Sequence, residues 1–257
     1  MKVVLYQRIL KWALLFGSIA QCGCNGKPIF RSERDAAVFV LFDASGSTNS
    51  ALVRQGYLRD LGTIEQLLIR DGGTLRGDVI GSEALNTSTV PIDVTFPYYN
   101  QVLSTDKGHA KQISAASSLL KQQADRMLGG DLSSSQTAVM ASLEVAGKIL
   151  NGDQLKGANR KILVIFSDML EESPRYNFTR ERLTEQRIRA IVEAERSGGR
   201  LPNLQGVTVW KAGASAERLD DDRSRALQAF WIQYFKAAGA DLEEDHYGPT
   251  LLNFPIN

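Results

Sequence analysis

A chain of 257 residues, 43% of them hydrophobic, is long enough to close one large domain around a sizeable core. With 30 Lys and Arg against 29 Asp and Glu, and no basic stripe interleaved with aromatics, it offers no electrostatic reason to bind nucleic acid. Both cysteines, Cys22 and Cys24, lie near the amino terminus, so the remainder has no internal disulfide and no thiol nucleophile.

Residues 1–24 do not read as part of a fold. Lys2, Arg8 and Lys11 make a basic start, 12–20 is a short apolar core, and a polar, Gly-containing stretch follows. That is the three-part pattern of a secretory signal, and the apolar run is short for a membrane span. The two cysteines directly after it resemble a bacterial lipoprotein signal, in which Cys22 or Cys24 would carry the lipid. The expected location is the cell envelope, as a membrane-anchored lipoprotein or as a periplasmic or secreted protein. Residues 25–34 then form a polar tether to a domain spanning 35–257.

Val38-Phe39-Val40-Leu41-Phe42 is an unbroken apolar run, read as a parallel strand buried on both faces. It leads into Asp43, Ser45 and Ser47. Thr48 or Asn49 is expected to cap a helix with Tyr57, Leu61, Ile64 and Leu68 inward, closed by Asp71-Gly72-Gly73. A second strand is expected over 74–82 and a third over 90–96, where Pro91 marks an edge. A helix over 109–128 follows, then the loop 129–136. Thr137 is expected to begin a helix carrying Leu143, Ala146 and Leu150 on one face, with an ordinary N-cap role as the plain alternative.

The run 161–166 is a second buried strand, ending in Ser167 and Asp168. A charged helix over 179–196 is expected to put Leu183, Ile188, Ile191 and Val192 inward and its charges in solvent. A strand over 206–210 precedes the most amphipathic helix, 223–240, with Leu227, Phe230, Trp231, Tyr234, Phe235 and Ala238 in one stripe. Residues 241–257 are expected to cover or extend a sheet edge. His109 and His246 have no metal-like spacing and read as solvated loop residues.

Strand–helix alternation gives an α/β fold, and ligands of open α/β sheets sit beyond the carboxyl ends of the strands. Asp43, Ser45 and Ser47 fall at such an end. Their donors are all hard oxygens, which suit Mg²⁺, Mn²⁺ or Ca²⁺. Asp43-x-Ser45-x-Ser47 after a hydrophobic strand resembles the metal-ion-dependent adhesion site of von Willebrand factor type A domains. That resemblance implies a Rossmann-like architecture: a central, mostly parallel sheet, one short antiparallel edge strand and helices on both faces. It also implies a helix-leading threonine, matched by Thr137 with Ser135 as competitor, and a strand-end aspartate, matched by Asp168. The family has glycines before that threonine and after that aspartate; this chain has Ser135-Gln136 and Met169.

By this resemblance the function is a protein-binding module rather than an enzyme. An ion held by Asp43, Ser45, Ser47, Thr137 and Asp168 would keep a coordination position open for a partner's Asp or Glu carboxylate. Two other readings stand beside it. Asp43-Ala-Ser-Gly-Ser-Thr48 echoes the nucleophile loop of haloacid-dehalogenase-type phosphatases, with Asp43 attacking phosphorus, although Asp220-Asp221-Asp222 reads as a helix start rather than a strand-end acid pair. The other is a structural domain whose metal site is degenerate.

Overall fold

The computed structural model describes residues 35–45, 50–81, 90–100, 104–129, 137–213 and 219–256. The described residues all belong to one compact unit. The expected signal, the tether, Cys22 and Cys24 lie outside them. Among the described residues no helix is long and apolar enough to cross a membrane.

The elements alternate as expected: β1 (Ala36–Phe42), α1 (Ala51–Asp71), β2 (Gly73–Val79), β3 (Ile92–Phe96), α2 (Asp106–Gly129), α3 (Val139–Leu150), β4 (Arg160–Phe166), α4 (Glu185–Ser197), β5 (Val207–Ala212) and α5 (Asp221–Ala237). The strands form one sheet in the order β3-β2-β1-β4-β5. All neighbours pair in parallel except β2 and β3, so the short edge strand is the antiparallel one. Pro91 stands just before it.

The apolar run of β1 has the structural consequence its composition implies. Alternate residues point to opposite faces of a strand. Phe39 and Leu41 join one core with residues of α3, α4 and α5; Val38, Val40 and Phe42 join the other with residues of α1 and α2. Every residue of β1 is buried. On the first face Phe230, Trp231, Tyr234 and Phe235 of α5 are fully buried, each worth about 2–3 kcal/mol by area. The stripe read from the sequence is therefore a packing surface.

At the amino end of the sheet, Gly73 starts β2 with φ 133°, and a Cβ there would lie 2.1 Å from the Ala36 carbonyl oxygen. Only glycine lets the chain turn from α1 into β2 against β1. Beside this turn the buried Asp71 carboxylate binds Arg70 of its own helix and Arg160 at the start of β4, at 2.7 and 2.5 Å. At the other edge, residues after α5 run along β5, with parallel bridges Thr208–Asp241 and Lys211–Tyr247. The expected edge cover is present.

Several local expectations need correction. The α1 cap is Ser50, whose hydroxyl accepts from Val53 N–H, rather than Thr48 or Asn49. The charged helix begins at Glu185, because Thr184 caps it through Arg187 N–H; residues 172–183 form a compact loop closed by a Glu172–Asn177 bridge and the buried Phe178. Nor is that helix's polar face all solvated. Glu195 is fully buried, accepting from Arg175, Arg200 and the Tyr176 hydroxyl, and these partners outweigh the burial that would raise its pKa. β5 runs two residues past Trp210 and takes in Lys211. The histidines are not solvated loop residues: His109 lies in α2 with its ring edge-on to Tyr99, and His246 stacks on Trp210 at 3.6 Å.

Candidate metal centre

The sheet order singles out one place for a ligand. The chain leaves β1 for β2 on one side and later returns to lay β4 along the other side of β1. α1, which follows β1, packs in the core containing Val38, Val40 and Phe42; α4, which follows β4, packs in the opposite core. The two connections diverge at the carboxyl ends of β1 and β4. That is the topological switch point, where open α/β sheets bind ligands.

Asp43 and Ser167 occupy the first positions past those ends. Phe42 pairs with Phe166, Asp43 N–H donates to the Phe166 carbonyl at 2.8 Å, and the Ser167 hydroxyl donates to Asp43 Oδ2 at 2.7 Å. Asp43 Oδ1 accepts Ser45 N–H at 2.8 Å. The carboxylate is buried and gripped from two sides. Such a group holds and orients rather than swings.

Asp168 follows Ser167 and is buried, with Oδ1 accepting Leu170 N–H at 3.0 Å. Met169, where the resembling family has glycine, has φ 65° and is the non-glycine with positive φ among the described residues. Its N–H donates to Ser167 Oγ at 2.9 Å, its carbonyl accepts the Trp231 indole N–H at 2.9 Å, and its side chain is fully buried. The left-handed conformation costs a side-chain-bearing residue about 1–2 kcal/mol. These contacts hold the turn in a shape that glycine would adopt freely. Gly213, at the end of β5, backs this loop closely: a Cβ there would lie 3.0 Å from Ser167 N.

Thr137 is buried and stands two residues ahead of α3. It is not the cap, because the N-cap position is Ala138 and no local side chain caps this helix. Its carbonyl accepts Glu172 N–H at 2.8 Å, which ties it to the loop carrying Asp168. Next to that bond, the buried Glu171 carboxylate accepts Met140 N–H at 2.9 Å. Burial pushes the Glu171 pKa up, opposed by the hydrogen bonds it receives.

A cation is also built in nearby. Lys211 is buried on β5, with Nζ 3.3 Å from the carbonyl oxygens of Gly213 and Gly248 and 4.9 Å from the centre of the Tyr247 ring. Burial lowers its pKa to about 8, against the pull of the Asp168 carboxylate.

Of the residues expected from the sequence, Asp43, Ser45 and Asp168 share the carboxyl end of the β1–β4 pair, and Thr137 is fastened to the same loop. Ser47 and its neighbour Thr48, like Ser135, lie outside the described residues. The donors in place are buried carboxylates and hydroxyls with no sulfur or imidazole among them, a set that fits a hard divalent cation. A separate acidic group, Glu243, Asp245 and His246, has ligand atoms within 4.8 Å of one another on the segment beside β5, and its carboxylates are exposed. Sequence reading gave Ser167 no part in holding Asp43 and missed Glu171 and Lys211. The available signals were a hydroxyl directly before the strand-end acid and a lysine inside an apolar strand.

No family model and no curated protein matches the chain. Among solved structures, the manganese-loaded TRAP protein of Plasmodium vivax is similar at 10% identity with a TM-score of 0.34, covering 86% of this chain and 70% of that one. Values this low carry nothing about function from that protein to this one.

Proposed function

We propose that this chain is a von Willebrand factor A-type protein-binding module that works outside the cytoplasm and recognises its partner through a divalent cation. The observation that supports this reading is that Asp43, Ser45 and Asp168 follow the carboxyl ends of β1 and β4, neighbours at the switch point of the sheet, with the Thr137 carbonyl hydrogen-bonded to the loop that carries Asp168. Ser45, Ser47 and Thr137 would hold the ion by their hydroxyls, while Asp43 and Asp168 orient those hydroxyls and balance charge. Bound there, Mg²⁺ or Mn²⁺ would supply an electrophilic position for an Asp or Glu carboxylate of the partner. Ca²⁺ satisfies the same donors.

Recognition is favoured over phosphoryl transfer by where the other acids fall. The acid run that a phosphatase would need at a strand end instead caps and opens α5, with Asp220 accepting Arg223 N–H. The location outside the cytoplasm and the lipid anchor at Cys22 or Cys24 rest on the sequence pattern of residues 1–24.

The test is manganese binding by the purified domain, joined to capture of a partner from envelope extract with and without chelator. Saturable Mn²⁺ binding that is lost in Asp43→Ala, with chelator-sensitive capture, is the expected result. A partner retained equally with chelator and by Asp43→Ala would sink the proposal. Turnover of a generic phosphate ester that needs Asp43 would put the phosphatase reading in its place.

A further inference from the structure

The start of α3 is unusual in where its cap comes from. The first turn of a helix presents N–H groups with no partner inside the helix, and a nearby Ser, Thr, Asp or Asn usually satisfies one of them. Here the N-cap residue is Ala138, which cannot. A carboxylate from a distant loop does so instead. Glu171, three residues beyond Asp168, reaches Met140 N–H at 2.9 Å across a separation of 31 residues and also accepts from Val139 N–H. It is 1% exposed. The next residue, Glu172, donates its N–H to the Thr137 carbonyl at 2.8 Å. Two consecutive residues thus grip the segment 137–140 from the loop that begins at Asp168.

We propose that Glu171 is a positioning residue for the cation site: by capping α3 from the Asp168 loop, it fixes Thr137 relative to Asp168 without touching the ion. This inference rests on the proposed metal reading. Its physical basis is that an anionic acceptor at a helix N-terminus meets both the unpaired amides and the positive end of the helix dipole. Without it, the Glu172 N–H bond to the Thr137 carbonyl would remain, among the described residues, as the hydrogen bond tying this segment to the Asp168 loop, beside the core packing of Val139. The glycines that the resembling family has before its threonine are absent here, and Glu171 supplies a rigid alternative means of placing that residue.

The experiment measures Mn²⁺ affinity by electron paramagnetic resonance of free ion, alongside amide hydrogen exchange of the ion-free protein. Wild type is compared with Glu171→Ala, Glu171→Gln and, as a stability control at the opposite end of the sheet, Asp71→Asn. Glu171→Ala is expected to weaken Mn²⁺ binding by about tenfold, in the range found for residues that orient metal ligands. It is also expected to speed exchange at Val139 and Met140. Glu171→Gln keeps an acceptor oxygen and is expected to recover most of the affinity, while Asp71→Asn keeps wild-type affinity. If Glu171→Ala does not fold, Glu171→Asp, one methylene short of the amides, is read in its place. Unchanged affinity in the Glu171 variant, or an equal loss in Asp71→Asn, overturns the positioning role while leaving the metal site standing. Absence of saturable Mn²⁺ binding in wild type removes the metal reading itself, and the positioning role with it.

Discussion

The hydroxyl of Ser167 and the carboxylate of Asp43 meet at 2.7 Å although 124 residues separate them in the chain. The contact joins the ends of two parallel strands and fixes one oxygen of the acid on which the proposed site depends. Ser167→Ala removes this donor from a buried carboxylate. The expected result is a loss of about 1–3 kcal/mol in urea unfolding and roughly tenfold weaker Mn²⁺ binding. Wild-type affinity in a variant destabilised by that amount would show that Asp43 needs no such support.

Met169 tests whether its loop stores backbone strain. Ordinarily Gly→Ala stabilises a protein by about 0.4–1 kcal/mol through the unfolded state. At φ 65° that order should reverse. Met169→Ala and Met169→Gly both empty most of a fully buried side chain, so both should be less stable than wild type by about 2–5 kcal/mol. Met169→Gly also loses the buried β-carbon, about 0.8 kcal/mol, but sheds left-handed strain of about 1–2 kcal/mol, so it should be at least as stable as Met169→Ala. Thermal or urea melts of the pair decide it.

Asp71 holds the amino end of the sheet. Its hydrogen bond with Arg70, aided by the Arg160 charge, keeps its pKa below the usual 3.8 despite burial. A carboxylate whose folded pKa is depressed adds stability above its unfolded pKa and loses it as pH falls through the folded value. Asp71→Asn should therefore cost about 1.5–3 kcal/mol near neutrality, because the two arginines it leaves behind are partly solvated. The gap between variant and wild type should close in acid below pH 3.8. Unfolding free energies measured across that range provide the check.

Lys211 has the opposite pH signature. Its folded pKa is about 8 against 10.5 for the free side chain. Between those values the unfolded chain holds a proton that the folded chain has shed, so the contribution of Lys211 to stability rises with pH through that window. Below pH 8 both states are charged and the full cost of burying the ammonium is present. Comparing wild type with Lys211→Met should show the difference moving in favour of wild type from about pH 8 to 10.5. A difference independent of pH would mean that the buried amine titrates normally.

Much of this molecule was legible along the chain. Runs such as Val38–Phe42 can be satisfied only by burial on both faces, which requires a parallel sheet between helix layers. The same run delivers Asp43 and Ser45 to a strand end, and the second run delivers Asp168. Element boundaries were less legible where a cap decides them: Ser50 and Thr184 start their helices through side-chain hydrogen bonds that hydrophobic spacing does not register.

Local sequence determined the strands, the amphipathic stripes and the oxygen donors, because those depend on the period of apolar residues and on chemistry within a few positions. Tertiary structure alone decided that β4 lies beside β1, which makes their ends a switch point. It also decided that Ser167 holds Asp43, that Glu171 caps a helix lacking its own cap, and that Met169 is held in a glycine-like turn. Each of these joins groups distant in the chain or imposes a conformation that the residue itself disfavours. Strand order and long-range hydrogen bonds are fixed by packing the whole domain, and no window of the sequence contains them.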